Sequence, residues 1–176
     1  MMKRRMSVLA LTLILAGCGV GRMGTPPSLF DLGADEPSAL RLPVQEPIGL
    51  AFRAIPALSD TGVIWRVDGS AAVQAYASSR WASAPYDLVR QRVTERLSRH
   101  GPVLTESART LPQVQLTLLR FEQVFAPSGH TSEGRIVLQA LLMRDGRVIG
   151  QRRIEEAAAA PTQDAAGGVQ ALRVAT

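Results

Sequence analysis

The chain has 176 residues, with 20 Lys or Arg against 15 Asp or Glu, two histidines and one cysteine. That is room for one domain with a real core, and none for an intrachain disulfide. Lys3, Arg4 and Arg5 account for three of the 20 basic residues and precede every acid, so the other 17 basic and 15 acidic side chains nearly balance, and the pI near 10.6 does not indicate a nucleic-acid partner.

Those three cations are followed by an uncharged, mostly apolar run, Met6 to Ala16, and then by Gly17 and Cys18. This is the order of a basic n-region, a short apolar region and a small-residue cleavage site. The run is too short to cross a hydrocarbon core, which takes about 20 residues, so it reads as an export signal. Leu15-Ala16-Gly17-Cys18 resembles the lipobox of bacterial lipoproteins. The resemblance implies that the Cys18 thiol receives a diacylglycerol, that the chain is cut before it, and that the new amine is acylated. Residues 1–17 are then a signal peptide, 18–28 the lipidated cysteine with a flexible tether, and 29–176 a single domain. A lone thiol in an oxidising compartment has no disulfide partner, and lipidation accounts for it. The only prosthetic group expected is this covalent N-acyl diacylglycerol on Cys18.

The tether sequence GVGRMGTPPS is small, aperiodic and rich in Gly and Pro, and ten residues reach at most roughly 35 Å. Its Gly19-x-Gly21-x-x-Gly24 spacing is formally a dinucleotide fingerprint, but neither the strand before it nor the helix after it is present. Next, Leu29 to Leu32 and Ile48 to Ile55 read as strands, the second stopped by Pro56. Val63 to Val67 and Ala71 to Ala77 form a hairpin turning at Asp68-Gly69-Ser70. A helix starts at Pro85, carries Asp87 in its first turn and Arg96, Arg99 and His100 in its last, and stops at Gly101-Pro102. Tyr86, Val89, Val93 and Leu97 share its buried face, with Arg90, Arg92, Glu95 and Arg99 solvated.

Gln113 to Leu118 alternates strictly, and the shift at Leu118-Leu119 predicts a bulge before the strand continues to Phe125. Arg135 to Met143 and Arg147 to Ile154 flank the tight turn Arg144-Asp145-Gly146. Thr162 reads as the N-cap of a final helix with Val169 and Leu172 on one face. Gly167-Gly168 should weaken that helix by about 1 kcal/mol per glycine, and its uncapped end suggests a natural product longer than this chain. Strands outnumber helices, so the expected fold is α+β, a mostly antiparallel or mixed sheet with two helices packed on it.

Catalytic patterns are sparse. His100 and His130 have no Cys, Asp or Glu at ligand spacing, and HExxH, CxxC and GxSxG do not occur. Glu155 and Glu156 are adjacent on a strand, point to opposite faces and cannot share a proton. Asp60 and Asp68 lie in turns, where aspartate commonly bonds its own backbone. The expectation is a protein that is not an enzyme and holds no metal.

The stretch from Trp65 to Leu97, WRVDGSAAVQAYASSRWASAPYDLVRQRVTERL, resembles the signature of the ABC-type transport auxiliary lipoproteins, the family that includes the paraquat-inducible protein C type. The features that carry the resemblance are Arg66, Tyr76, Arg80-Trp81-Ala82, Pro85, Leu88-Val89 and Arg92-Val93, with valine in place of the usual leucine at 93. Leu119-Arg120-Phe121, the Asp145-Gly146 hairpin and the Pro161 to Leu172 segment also fit the family's order. The resemblance implies a periplasmic accessory or binding component of an ABC-type, MCE-associated lipid-transport system between the two membranes. A structural or envelope-stress lipoprotein without a transporter is the alternative.

The implied partners are an MCE-type protein, an ABC permease complex and the membrane through the lipid anchor. Phospholipid contact and self-association are further readings, and nucleic acid is not expected. Gly19 follows the cysteine, where aspartate is the inner-membrane retention signal in enteric-type sorting, so attachment to the outer membrane facing the periplasm is expected. Arg66, Tyr76, Arg80, Trp81 and Pro85 are the candidate partner-binding residues. For Trp65, Tyr76, Trp81 and Tyr86 core packing is the competing reading, and for Arg66 and Arg80 an intramolecular salt bridge.

Overall fold

The computed structural model describes residues 25–35, 46–105 and 111–176. Leu15, Ala16, Gly17, Cys18 and most of the tether therefore lie outside the described residues.

Among the described residues, eight strands and two α-helices follow one another as β1 (Ser28–Phe30), β2 (Ile48–Ala54), a 3-10 turn (Pro56–Leu58), β3 (Gly62–Val67), β4 (Gln74–Trp81), α1 (Pro85–Ser98), β5 (Val103–Leu104), β6 (Gln113–Phe125), β7 (Ser132–Arg144), β8 (Arg147–Ala159) and α2 (Ala165–Ala175). The strands form one mixed sheet organised on β6. β7 lies antiparallel along one side of it and leads to β8. Along the other side run β2 and then β3, both parallel to β6. β4 and β1 extend the sheet from β3, and β5 extends it from β2. Both helices lie on one face, α1 against β2 and β5, and α2 against β6, β7 and β8. The α+β class read from the sequence is the class observed.

The bulge expected at Leu118-Leu119 is present, and it explains the irregular second half of β6. The pairing with β7 skips Leu119, so the residues facing the helices change from even to odd numbers. Leu116 and Leu118 before the bulge and Phe121 after it therefore reach the same core. Around them pack Leu58, Val63, Trp81, Val89, Ile136, Val169 and Leu172. The same change leaves the even-numbered Glu122 and Val124 on the face without helices.

Several boundaries differ from the sequence reading; β1 ends at Phe30 and not at Leu32, and β7 begins at Ser132, three residues before Arg135. β4 begins at Gln74 and runs through Trp81, because Leu29 and Phe30 pair with Arg80 and Trp81 and extend the strand beyond its alternating part. β8 continues to Ala159 through three alanines of poor strand propensity, held there by pairing with Glu133, Gly134 and Arg135. The two-residue β5 pairs with Ile48 and Gly49 and carries no alternation of its own. Finally, the cap of α2 is Asp164, not Thr162. The Asp164 carboxylate accepts from the Gly167 N–H at 2.8 Å, while the Thr162 hydroxyl donates to the same carboxylate. These bonds, the Gly167 one foremost, hold its pKa below the ordinary value.

The glycines in α2 have a packing role that propensity alone hides. A Cβ on Gly168 would come within 2.5 Å of Gln123 Cδ on β6, and one on Gly134 would meet the α2 backbone at Ala171 and Leu172 below the 3.0 Å limit of real Cβ contacts. The helix lies on the sheet at a separation that only hydrogen side chains permit.

Candidate functional site

The candidate residues are distributed over the β3–β4 hairpin and the start of α1, and the sheet separates them. Arg66 on β3 points to the face without helices. There its guanidinium meets the buried Glu122 carboxylate at 2.8 Å, while Arg120 stands 4.0 Å from the other Glu122 oxygen. The intramolecular reading for Arg66 is the one observed. Farther along the same face Arg135 ion-pairs with Glu133, Asp68 and Glu155.

Tyr76 lies on the helix side. Its hydroxyl donates to Gln123 Oε1 at 2.8 Å, and Gln123 Nε2 donates to Ser132 Oγ at 2.7 Å. This chain of bonds joins β4, β6 and β7 inside the core, where polar groups must be paired. Burial, assisted by the Asp164 charge, pushes the Tyr76 phenol up to about 12. Trp65 packs beside it, 6.2 Å from the Tyr76 ring and edge-on to Phe125 at 5.4 Å. Tyr86 packs on Phe52 at 5.8 Å.

The expectation that Arg80, Trp81 and Pro85 form a displayed turn requires correction. Trp81 is 1 % exposed and stacks obliquely on Phe121 at 5.2 Å, because its place at the end of β4 turns the ring under the helices. Pro85, the first residue of α1, is buried as well. Arg80 is half-buried and its guanidinium donates to the backbone oxygens of Tyr76 and Ser79 at 2.7 and 2.8 Å, so it braces its own strand. Only Ala82 and Ser83 of this turn are exposed. His100 and His130 are exposed, as the sequence suggests.

A second constellation was not visible in the sequence. Arg92, expected to be solvated, is 5 % exposed. Its guanidinium donates to the carbonyls of Leu32 and Gly33 at 2.7 Å each and faces Asp35 at 3.5 Å. Arg96 meets Asp35 at 2.8 Å and Arg99 at 3.0 Å. From α2, Arg173 Nε donates to the same Leu32 carbonyl at 2.8 Å. The hydrogen bond from Arg96, joined by the charges of Arg92 and Arg99, holds the Asp35 carboxyl down at about 2 against the opposing effect of burial. Two helices thus grip segment 31–35, which follows β1 directly, through four arginines. The one readable signal was the i, i+4 and i+7 spacing of Arg92, Arg96 and Arg99; their partner lies 57 residues or more earlier in the chain.

Between this segment and α1 runs an open groove of about 1150 Å³ whose wall includes Asp31, Asp35, Asp87, Arg90, Glu95 and Arg99. Leu32, Ala34 and Leu88 line it as well, so apolar surface lies among charges of both signs. Among the described residues no group of three His, Cys, Asp or Glu is placed to hold a metal ion, and no helix is long and apolar enough to cross a membrane.

No protein-family model matches the chain, and no curated protein matches it. Among solved structures it is similar to protein XCC0632 from Xanthomonas campestris, described under the family DUF330, with 18% identity over 84% of this chain and 87% of that one and a TM-score of 0.67. It is also similar to an uncharacterized protein with 15% identity, covering 85% of this chain and 91% of that one at a TM-score of 0.62. At these identities the likeness establishes a shared fold across most of the chain, and the chemistry has to be argued from the residues themselves.

Proposed function

We propose that this chain is a lipoprotein anchored through Cys18, attached to the outer membrane on its periplasmic side, and that it serves as an accessory, partner-binding component of an ABC-type, MCE-associated lipid-transport system. The observation that carries the anchoring is Leu15-Ala16-Gly17-Cys18, placed after Lys3-Arg4-Arg5 and an apolar run, with no other cysteine in the chain. The transport role rests on the resemblance of the 65–97 segment. Two features of the structure suit a binding role. The groove lies where the tether joins the domain, so it stays near the membrane, and its mixture of charges with apolar surface fits a protein surface.

The test begins with Cys18→Ser. Labelled fatty acid should enter the wild-type protein and be absent from the variant, which should accumulate uncleaved; labelling of the variant would refute the anchoring. Fractionation should place the wild-type protein with outer-membrane markers, and recovery chiefly with inner-membrane markers would reverse the assignment. Crosslinked cells should yield an MCE-type protein or the permease with the tagged chain. Recovery of neither, from cells in which both are made, would leave the alternative of a lipoprotein without a transporter.

A further inference from the structure

β8 is a sheet edge. Among the described residues it pairs with β7 alone, and most of its thirteen residues are exposed. A long edge of this kind offers unpaired N–H and C=O groups to any strand that fits it. Which groups are offered follows from the ladder. The Ala160 N–H donates to the Ser132 carbonyl, and the pairing of β8 with β7 continues in the same register from Glu133↔Ala159 to Leu142↔Gly150. Even-numbered residues of β8 therefore bond toward β7, and Gln151, Arg153, Glu155 and Ala157 direct their backbone groups outward.

The centre of this edge reads Arg152-Arg153-Ile154-Glu155-Glu156, a sequence whose charges invert about Ile154. In an antiparallel pair of two such strands related by a two-fold axis at Ile154, Arg153 stands opposite Glu155 of the second copy and Arg152 opposite Glu156. Both pairings recur by symmetry. Arg153 and Glu155 share the face without helices, and Arg152 and Glu156 share the helix face, so each cation meets its anion on the same side of the joined sheet. The outward backbone groups match as well, Arg153 with Glu155 and Gln151 with Ala157. A slip by two residues in either direction would place Arg153 against Arg153 or Glu155 against Glu155, so the charges fix the register.

Within one copy these charges are only partly used. Glu155 lies 3.6 Å from Arg153 and 3.9 Å from Arg135, with Arg153 and Glu155 about half exposed, and Arg152 and Glu156 form no ion pair among the described residues. We propose that β8 is a self-association edge on which a second copy of this chain adds antiparallel about Ile154, making one continuous sheet across the two-fold axis. The proposal is independent of the lipid anchor and of the transport role.

The experiment co-expresses two differently tagged copies of the full chain, extracts them in detergent, captures one tag and measures the other. Wild-type copies should capture each other, and less so at high salt because exposed charge pairs are screened. An acidic variant, Arg152→Glu with Arg153→Glu, should lose self-capture at least about ten-fold, and so should a basic variant, Glu155→Arg with Glu156→Arg, because each places like charges opposite one another. The acidic and basic variants expressed together should capture each other as the wild type does. Ala157→Pro tests the backbone apart from the charges. It removes an outward N–H that the β7 ladder does not use, and it should abolish self-capture with the melting temperature kept. Absence of wild-type self-capture would overturn the proposal. So would full self-capture by the acidic variant or by Ala157→Pro, or failure of two folded, complementary variants to pair. If a charge variant melts early, the proline variant decides.

Discussion

Gly168→Ala separates helix propensity from packing, because the two predict opposite signs. In a helix interior alanine is favoured over glycine by about 1 kcal/mol, so propensity alone says that the change stabilises. The structure says the reverse. The new methyl would occupy the place of the Gln123 amide, whose Cδ is 2.5 Å from the ideal Cβ position. Gln123 is 0 % exposed and bonds both the Tyr76 hydroxyl and the Ser132 hydroxyl, so it has no free rotamer into solvent. Displacing it leaves at least two buried polar groups unpaired at about 1–3 kcal/mol each, roughly 3–5 kcal/mol together. After the propensity gain a net loss of about 2–4 kcal/mol remains. At about 2–4 °C per kcal/mol for a domain of this size, the melting temperature should fall by roughly 5–15 °C. Urea unfolding should show a lower midpoint with an unchanged slope. The double change Gly168→Ala with Gln123→Ala should lose less than the sum of the single changes, since the second removes the obstruction. A Gly168→Ala protein as stable as wild type would refute the reasoning.

Trp81→Ala should cost about 3–5 kcal/mol, seen as a large fall in melting temperature, whereas Trp81→Phe should cost much less because the buried indole N–H has no hydrogen-bond partner among the described residues. Near-wild-type stability of the alanine variant would contradict the core position of the ring. The Asp35 pKa lies at about 2 in the folded chain against an ordinary 3.8, so its ion pairs contribute stability above pH 3.8 that is lost as pH falls toward 2. Asp35→Asn should flatten this acid limb of a stability-against-pH profile, and an unchanged limb would sink the assignment. Tyr76 works at the other end. Its pKa of about 12 against 10.0 means that the unfolded chain ionises first, so stability should fall from pH 10 upward, and Tyr76→Phe should remove that fall.

Where local periodicity and tertiary role coincide, the sequence was readable. The hairpin at Asp145-Gly146, the Pro85 start of α1 and the bulge at Leu119 each depend on residues a few positions apart, and each is where the pattern placed it. Trp81 and Arg92 were harder because their surroundings come from distant segments. Trp81 is drawn under the helices by β1 and Phe121, and Arg92 is buried by carbonyls 59 and 60 residues earlier. An arginine on the polar side of a helix looks solvated until the backbone that it grips is known. The α2 glycines carry the same lesson, since propensity records their entropic cost and not the sheet against which they pack.

The arginine grip on segment 31–35 also has a mechanical meaning. A pull on the residues ahead of Thr25 reaches the domain first at β1, three residues long and, among the described residues, paired only with β4. Such a short ribbon would peel under modest tension. Immediately behind it, Leu32, Gly33 and Asp35 are fastened to α1 by Arg92, Arg96 and Arg99 and to α2 by Arg173. Tension would therefore pass from β1 into both helices at once and be shared by bonds loaded together instead of one after another. The fold is reinforced at the end of the chain by which it would be held, and the sheet edge at β8 is left out of the load path.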